Sequence, residues 1–339
     1  MSEQTLSQSL RGRLRFLSEH RLVASRQVLE RRGLLEPGLQ PMVRALADRQ
    51  MTRDAWRAEW EEQVFDWLDK AGLETLVLKG AALGRWLYDN PGQRGRVDLD
   101  LLVRESDRVR VEALLSDHGY VQRADHLSLT QSSWHGQGEH AREIIDLHWA
   151  LSDQPVFHHD FPFEKLWKRS VPLSEDFSRV RRLDPVWSLI HAVVHYWGSD
   201  PKHELPRIML LDITLLWEGL DDAERDRFEV LCLDHGLSGL AARSFKKCMA
   251  EFNLDVDADR VRRMRVEGEQ QWQTALCERN RSAWQNLVLG LRGQPTMSNK
   301  VRHLRQVIFP PASYMRRKYP QGSVLGLPGL YLRRVFRFG

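Results

Sequence analysis

The sequence predicts an α+β protein, a small mixed-sheet core flanked by N-terminal helices and a C-terminal helical domain. Three observations lead there. Residues 5–32 and 40–71 carry apolar side chains near helical spacing. Between 72 and 150, short apolar runs suited to strands mix with helical segments. From Asp184 onward the chain is helical in character again. The expected divisions are an N-terminal helical segment at 1–71, a core at 72–175, a helical domain at 180–290 and a basic tail at 291–339.

The first helical stretch ends at Leu35-Glu36-Pro37-Gly38. The second places Trp56, Trp60, Val64, Trp67 and Leu68 near an i, i+4 pattern, which reads as a core-facing stripe, and Gly72 closes it as a C-cap. Thr75–Leu78 suits a buried strand. Lys79-Gly80 follows at once and opens a helical segment, AALGRWLYD, before the turn Asn90-Pro91-Gly92. Residues 97–103 read as a second strand, 106–118 as a helix closed by Gly119, and 127–134 and 143–149 as two further strands. Asp184-Pro185 is a helix start, and the segments 205–219, 222–235 and 238–252 are three more helices, with Asp221 and Ser238 as caps. Beyond residue 290 the Gly, Pro and Arg content leaves the structure open.

The chain has 339 residues, 42% hydrophobic and 28% charged, the balance of an ordinary globular protein. Its three cysteines are widely spaced and suit a reducing cytoplasm rather than a disulfide framework. No signal-peptide core and no run of 18 apolar residues is present, so no transmembrane helix is expected. The net charge of +4 conceals an asymmetry. No Asp or Glu follows Glu278, whereas 12 basic residues lie from Arg279 onward, leaving a body with 38 basic against 46 acidic residues. A basic tail on an acidic body either folds back onto it or meets an anionic partner such as a membrane surface or nucleic acid.

The informative segment is RVDLDLLV. On a strand, residues i and i+2 share a face, so Asp98 and Asp100 point together while Val97, Leu99 and Leu101 point into the core. Two adjacent carboxylates repel, and a divalent cation between them relieves that cost. An Asp-x-Asp alone also suits a chance pair on an exposed strand face. Its surroundings favour the metal. Lys79-Gly80-Ala81 stands at a strand-to-helix junction, where free backbone N–H groups and a close-approaching glycine make an anion site. Arg94 and Arg96 add positive charge just before the aspartates, either for phosphate or as ordinary loop charges. Downstream, EIIDLHW puts Asp146 and His148 on one strand face. A third carboxylate there would complete a two-metal site for phosphoryl or nucleotidyl transfer, or act as base toward the acceptor hydroxyl. His191 and His195 share a helix face, but no third zinc ligand stands at the expected spacing.

These residues carry a resemblance. LVLKGAALGRWLYDNPGQRGRVDLDLLV, a helix ending in HGY, and the later IIDLHW resemble an uncharacterised bacterial nucleotidyltransferase family of the polymerase-beta-like superfamily. LDPVWSLIHAVVHYW, LLDITLLW and the tail IFPPASYMRRKYP…LYLRRVFRF extend the resemblance over roughly residues 40–339. The superfamily pattern of Gly-Gly or Gly-Ser at the helix start falls on Gly80-Ala81, a departure from the consensus, while Asp98 and Asp100 match the metal-binding pair and Asp146 the third acid. The resemblance implies a nucleotidyltransferase core and a metal-dependent enzyme that moves an NMP group from a nucleoside triphosphate such as ATP. It implies Mg²⁺, with Mn²⁺ as the alternative ion, at Asp98, Asp100 and Asp146. Lys79, Gly80, Ala81, Arg94, Arg96 and His148 would lie toward the nucleotide.

The acceptor stays open among a protein side chain, a peptide, a sugar phosphate and RNA, because a fold does not fix its substrate. Two rival classes remain. One is a catalytically silent nucleotide-binding protein of the same fold. The other is a membrane-peripheral scaffold led by the basic, aromatic tail. Nucleic-acid binding is disfavoured by the acidic body and the lack of a recognisable module.

Overall fold

The computed structural model describes residues 3–123, 130–198, 205–278, 280–310, 312–319 and 326–336. Along the chain run α1 (Glu3–Glu19), α2 (Arg26–Arg31), α3 (Gln40–Lys70), β1 (Thr75–Val77), α4 (Lys79–Trp86), β2 (Leu99–Val103), α5 (Arg108–Asp117), β3 (Tyr120–Arg123), β4 (Gln131–Gly136) and β5 (Ile144–His148). Then follow α6 (Phe163–Arg169), β6 (Val171–Pro172), β7 (Val180–Arg182), α7 (Pro185–Gly198), α8 (Ile208–Glu218), α9 (Asp222–Asp234), α10 (Ser238–Phe252) and α11 (Ala258–Gln270). Four more helices close the described chain: α12 (Ala283–Arg292), α13 (Met297–Ile308), α14 (Ala312–Lys318) and α15 (Gly326–Phe336). The strands form a mixed seven-stranded sheet in the order β3-β4-β5-β2-β1-β7-β6. The fold class is the expected α+β with helical flanks. The chain divides into two compact units, Met1–Leu101 with Trp167–Cys277, and Leu102–Leu166 with Glu278–Gly339.

In the first unit, β1 pairs parallel with β7, Val77 opposite Arg182, and β7 pairs antiparallel with β6. The core comes from the apolar faces of α3, α7, α8 and α10, among them Val64, Leu68, Ile190, Val194, Leu211 and Phe245. Asp184 caps α7, its Oδ1 accepting from the Trp187 N–H at 2.8 Å. Asp221 caps α9 in a reciprocal capping box with Glu224. Ser238, expected as a cap, is instead the first helical residue of α10, where its N–H is taken by Gln271 Oε1 at 2.9 Å.

Two other expectations shift. The stretch 5–32 is broken between α1 and α2, where Arg21 adopts a left-handed φ of 59° and Leu22, Val23 and Ala24 turn inward. Trp56 is 73% exposed rather than core. The buried stripe of α3 runs through Val43, Ala47, Asp54, Glu61, Val64 and Leu68, and Trp56 lies two residues, about 200°, round from Asp54. Gly72, at φ 69°, closes α3 as expected.

The second unit holds an antiparallel meander. β3 pairs with β4, Tyr120 opposite Gly136, and β4 with β5, Ser133 opposite Asp146. Gly119, at φ 80°, turns α5 into β3, a strand the sequence reading missed. Residues 127–129 of the expected strand, and the end of the tail from Arg337, lie outside the described residues. Helices continue to the end of the described chain, where the composition had left the structure open. Ser282 and Gln285 form a capping box at α12, and Thr296 caps α13 by accepting from the Asn299 N–H at 3.1 Å. Among the described residues no helix is long and apolar enough to cross a membrane.

Candidate active site

The first unit builds its site from one junction and one loop. At the junction, extended Leu78 follows β1 and Lys79 opens α4 with a left-handed φ of 49°. A non-glycine residue held there carries local strain of about 1 kcal/mol or more, maintained by its surroundings. The consequence is placement: the Lys79 Nζ donates to Asp100 Oδ1 at 2.6 Å. Asp100 sits in β2 and is 2% exposed; Asp98 is half-buried just before the strand. β2 is shorter than expected. It starts at Leu99, and Val97, expected to face the core, is 46% exposed.

The loop between α4 and β2 is unusual in being buried, from Gly92 through Arg96. Loops are normally solvated because their backbone groups need partners. Here two arginines supply the anchorage. Arg94 donates from Nε to Asp212 Oδ1 at 2.8 Å and from Nη2 to Oδ2 at 2.6 Å, and its Nη1 bonds the Gly95 carbonyl at 2.6 Å. Tyr88 completes the cluster, its hydroxyl donating to Asp212 Oδ1 at 2.7 Å. Burial and the Asp212 carboxylate push the Tyr88 phenol well above its usual range. Burial works against the Arg94 charge, but Asp212, helped by Asp98, outweighs it and raises its pKa.

Arg96 donates from Nε and Nη2 to the two carboxylate oxygens of buried Glu61 at 2.6 and 2.9 Å, and from Nη1 to the Pro91 carbonyl at 3.1 Å. Arg85 also reaches Glu61, at 3.1 Å. The sequence expectation set Arg94 and Arg96 toward phosphate. Both guanidiniums are instead committed to buried carboxylates on α8 and α3, partners far away in sequence.

Gly80 serves this packing. A Cβ there would meet Arg96 Cβ at 3.0 Å and Arg94 Nη1 at 3.4 Å. Since Glu61 clamps Arg96, the neighbour cannot easily yield. Gly80→Ala is expected to cost about 1–3 kcal/mol by overpacking, read as a lower melting temperature. An unchanged melting curve would show that the loop gives way.

Ala81 is buried beside Gly80 in the first turn of α4. A further cation escaped the sequence reading. Arg182 ends β7, opposite Val77, and stacks 4.3 Å over the Trp86 ring of α4. Its guanidinium donates to the Leu183 carbonyl at 3.2 Å, and burial lowers its pKa against the opposing pull of Asp184. Only strand register, which a single sequence does not display, brings it beside β1.

Asp146 and His148 lie on β5 of the second unit, Asp146 half-buried opposite Ser133 and His148 buried opposite Gln131. Among the described residues no group of three or more His, Cys, Asp or Glu side chains stands in metal-holding geometry. The rings of His191 and His195 lie 6.0 Å apart on α7. The fit for a divalent cation therefore rests on Asp98 and Asp100. Their donor chemistry suits it, being hard carboxylate oxygens two residues apart, one of them buried and balanced by an ammonium.

The first unit thus sets paired acids beside a Lys-Gly helix start. The chain belongs to the uncharacterised nucleotidyltransferase family, whose model matches residues 22–250. It is a nucleotidyltransferase, acting on a nucleoside triphosphate and an acceptor. The solution structure of the antibiotic-resistance factor ANT(2'')-Ia is similar at 16% identity over 58% of this chain and 95% of that one. Its TM-score is 0.38. No curated protein matches.

Proposed function

We propose that this enzyme moves an NMP group from a nucleoside triphosphate onto a protein, peptide or sugar-phosphate acceptor, with Asp98 and Asp100 as its metal-holding pair. The observation that carries the reading is Asp100, buried in β2 and bonded to Lys79 at the start of α4. A bound Mg²⁺ or Mn²⁺ would supply charge neutralisation to the triphosphate at these two carboxylates.

The chain's own groups do the rest. Lys79 and the N–H groups of the first turn of α4, at Gly80 and Ala81, receive the phosphates. Arg182 is a second cation for the polyphosphate. Arg94 and Arg96 act as positioning residues that hold the loop leading into Asp98. Asp146 takes the acceptor proton. In the transfer, the acceptor oxygen forms a bond to the α-phosphorus as the bond from that phosphorus to the bridging oxygen breaks. Pyrophosphate leaves with the electron pair, and the hydroxyl proton passes to the Asp146 carboxylate.

Calorimetric titration with ATP, CTP, GTP and UTP, with and without Mg²⁺, tests the site. Mg²⁺-dependent binding of one nucleotide by the wild type, lost in Asp98→Asn/Asp100→Asn, is expected. Wild-type binding that survives in the double variant would move the site elsewhere. Binding of no nucleotide at all would favour a catalytically silent protein of the same fold.

A second reading concerns the tail. Leu291 and Arg292 of α12 and Met297, Lys300, Val301 and Leu304 of α13 line a shallow apolar groove of about 350 Å³, and Trp284 and Val288 of α12 are also exposed. Apolar side chains interleaved with cations suit an anionic membrane surface. Flotation with vesicles containing phosphatidylserine is expected to carry the wild type. Trp284→Ser/Met297→Ser/Val301→Ser should weaken binding at least about tenfold, given roughly 1.5–3 kcal/mol for each large apolar side chain fully buried. Equal failure of both proteins to float would end this reading.

A further inference from the structure

The second unit holds a cavity of about 320 Å³ that the transfer chemistry above leaves unused. That is near the lower end of the roughly 300–1,000 Å³ of small-molecule sites. It opens at the end of β5, where Thr130 and Trp149 line it and the Trp149 N–H bonds the Thr130 carbonyl at 2.8 Å. Asp146 lies three residues upstream on the same strand.

The helix that walls it is inverted. Asn299, Arg302, His303 and Gln306 of α13 line the cavity, at the i, i+3, i+4, i+7 spacing of one helical face. Met297 and Val301 of the same helix face solvent. An amphipathic helix ordinarily buries its apolar stripe; α13 instead lines the cavity with its polar stripe, His303 buried and Arg302 exposed. A cavity lined this way calls for an occupant that forms hydrogen bonds.

His303 sharpens the requirement. It is 5% exposed, lines the cavity, and keeps a buried Nδ1 with no hydrogen-bond partner. Its seat depends on Gly290, where a Cβ would lie 2.5 Å from His303 Nε2. Burial first, and His158 second, lower the His303 pKa, so the ring is neutral at neutral pH and asks for a hydroxyl partner rather than a counter-ion. The surrounding groups are held in place. His159 Nε2 is bonded by Asn299 Nδ2 at 2.9 Å, and Gln294 Nε2 donates to the Pro155 carbonyl at 2.9 Å.

Charge completes the description. Arg302 has no hydrogen-bond or ion-pair partner among the described residues. Arg108 lies 3.8 Å over the Trp149 ring and bonds Glu112 at 2.7 Å. Glu105 is the one carboxylate of the lining. A guanidinium without a carboxylate partner among the described residues, set beside imidazoles and amides, matches a ligand with one anionic group and several hydroxyls.

We propose that this cavity binds the acceptor of the transfer reaction, and that the acceptor is a phosphorylated sugar with its phosphate on Arg302 and a hydroxyl on His303. The acceptor role rests on the nucleotidyl-transfer reading above, and the bond changes are those already written, with a sugar hydroxyl as the attacking group.

The test is calorimetric titration of the full-length protein with glucose 1-phosphate, glucose 6-phosphate, glucose and inorganic phosphate. A sugar phosphate is expected to bind at least about tenfold tighter than either glucose or phosphate, since charged and neutral hydrogen bonds add. Arg302→Ala, a change at an exposed position that leaves the melting curve unaltered, should weaken it about tenfold or more, and His303→Leu likewise. Asp98→Asn/Asp100→Asn should bind the sugar phosphate as the wild type does, which separates this cavity from the nucleotide site. No binding up to about 10 mM, equal affinity for inorganic phosphate, or an unchanged affinity in Arg302→Ala would each overturn the proposal. Tight sugar-phosphate binding with no nucleotidylated product by mass spectrometry, in a protein that binds the triphosphate, would overturn the acceptor role.

Discussion

Asp146→Asn is expected to lower the rate of nucleotidyl transfer by about 10²–10⁴-fold while leaving triphosphate binding within about twofold of wild type, the signature of losing a positioned base. Asn keeps the size of Asp146 and its place in β5 opposite Ser133, so the meander should fold unchanged. Pyrophosphate release under single-turnover conditions reads the rate, and calorimetry with the triphosphate reads the affinity. Equal loss of binding and rate would make Asp146 a nucleotide ligand or metal ligand instead. No change in either would remove it from the site. The contrast with Asp98→Asn/Asp100→Asn is the useful part, because that double variant is expected to lose the triphosphate itself.

Arg96→Met is expected to destabilise the protein by about 3–5 kcal/mol, because it leaves the buried Glu61 carboxylate without its main partner. For a unit of this size, with about 2–4 °C lost per kcal/mol, the melting temperature should fall by roughly 6–20 °C. Arg85 also bonds Glu61, which sets the effect toward the lower end. The double variant Glu61→Leu/Arg96→Met should recover part of the loss, since an apolar pair of similar volume removes the desolvated charge. A melting temperature unmoved in Arg96→Met would mean that water reaches Glu61 and that the ion pair does not hold the loop. The Arg94–Asp212 pair obeys the same logic, with Tyr88 as its extra donor.

How much of the site was legible in the sequence differs residue by residue. Asp98 and Asp100 stand two apart at the start of β2, Asp98 just before the strand and Asp100 within it, and a period of two is a local property. Lys79-Gly80 at a strand-to-helix change is also local, and so is the Asp184-Pro185 start of α7. The roles of Arg94 and Arg96 were not legible. An arginine before two aspartates reads equally well as a phosphate ligand or a buried strut, and the partners that decide, Asp212 and Glu61, lie 118 and 35 residues away. Arg182 was missed for the same reason, as its neighbour Val77 is found only through strand register. Trp56 misled because it continues the stripe of Trp60, Val64 and Leu68, all buried, and a helical pattern does not say how far along the helix the cover extends.

By itself the sequence determined the α+β class, the strand–helix junction at Lys79 and the paired acids, because periodicity, caps and turn chemistry act over a few residues, while the order of the motifs carried the family resemblance. Only the tertiary structure decided which charges are spent on packing. It clamped the loop before Asp98 with two buried ion pairs, set Lys79 on Asp100, and lined a cavity with the polar face of α13 around an orphan histidine nitrogen. The physical reason is that a buried charge must find its partner wherever the fold brings one within hydrogen-bond reach. Separation along the chain says nothing about that reach.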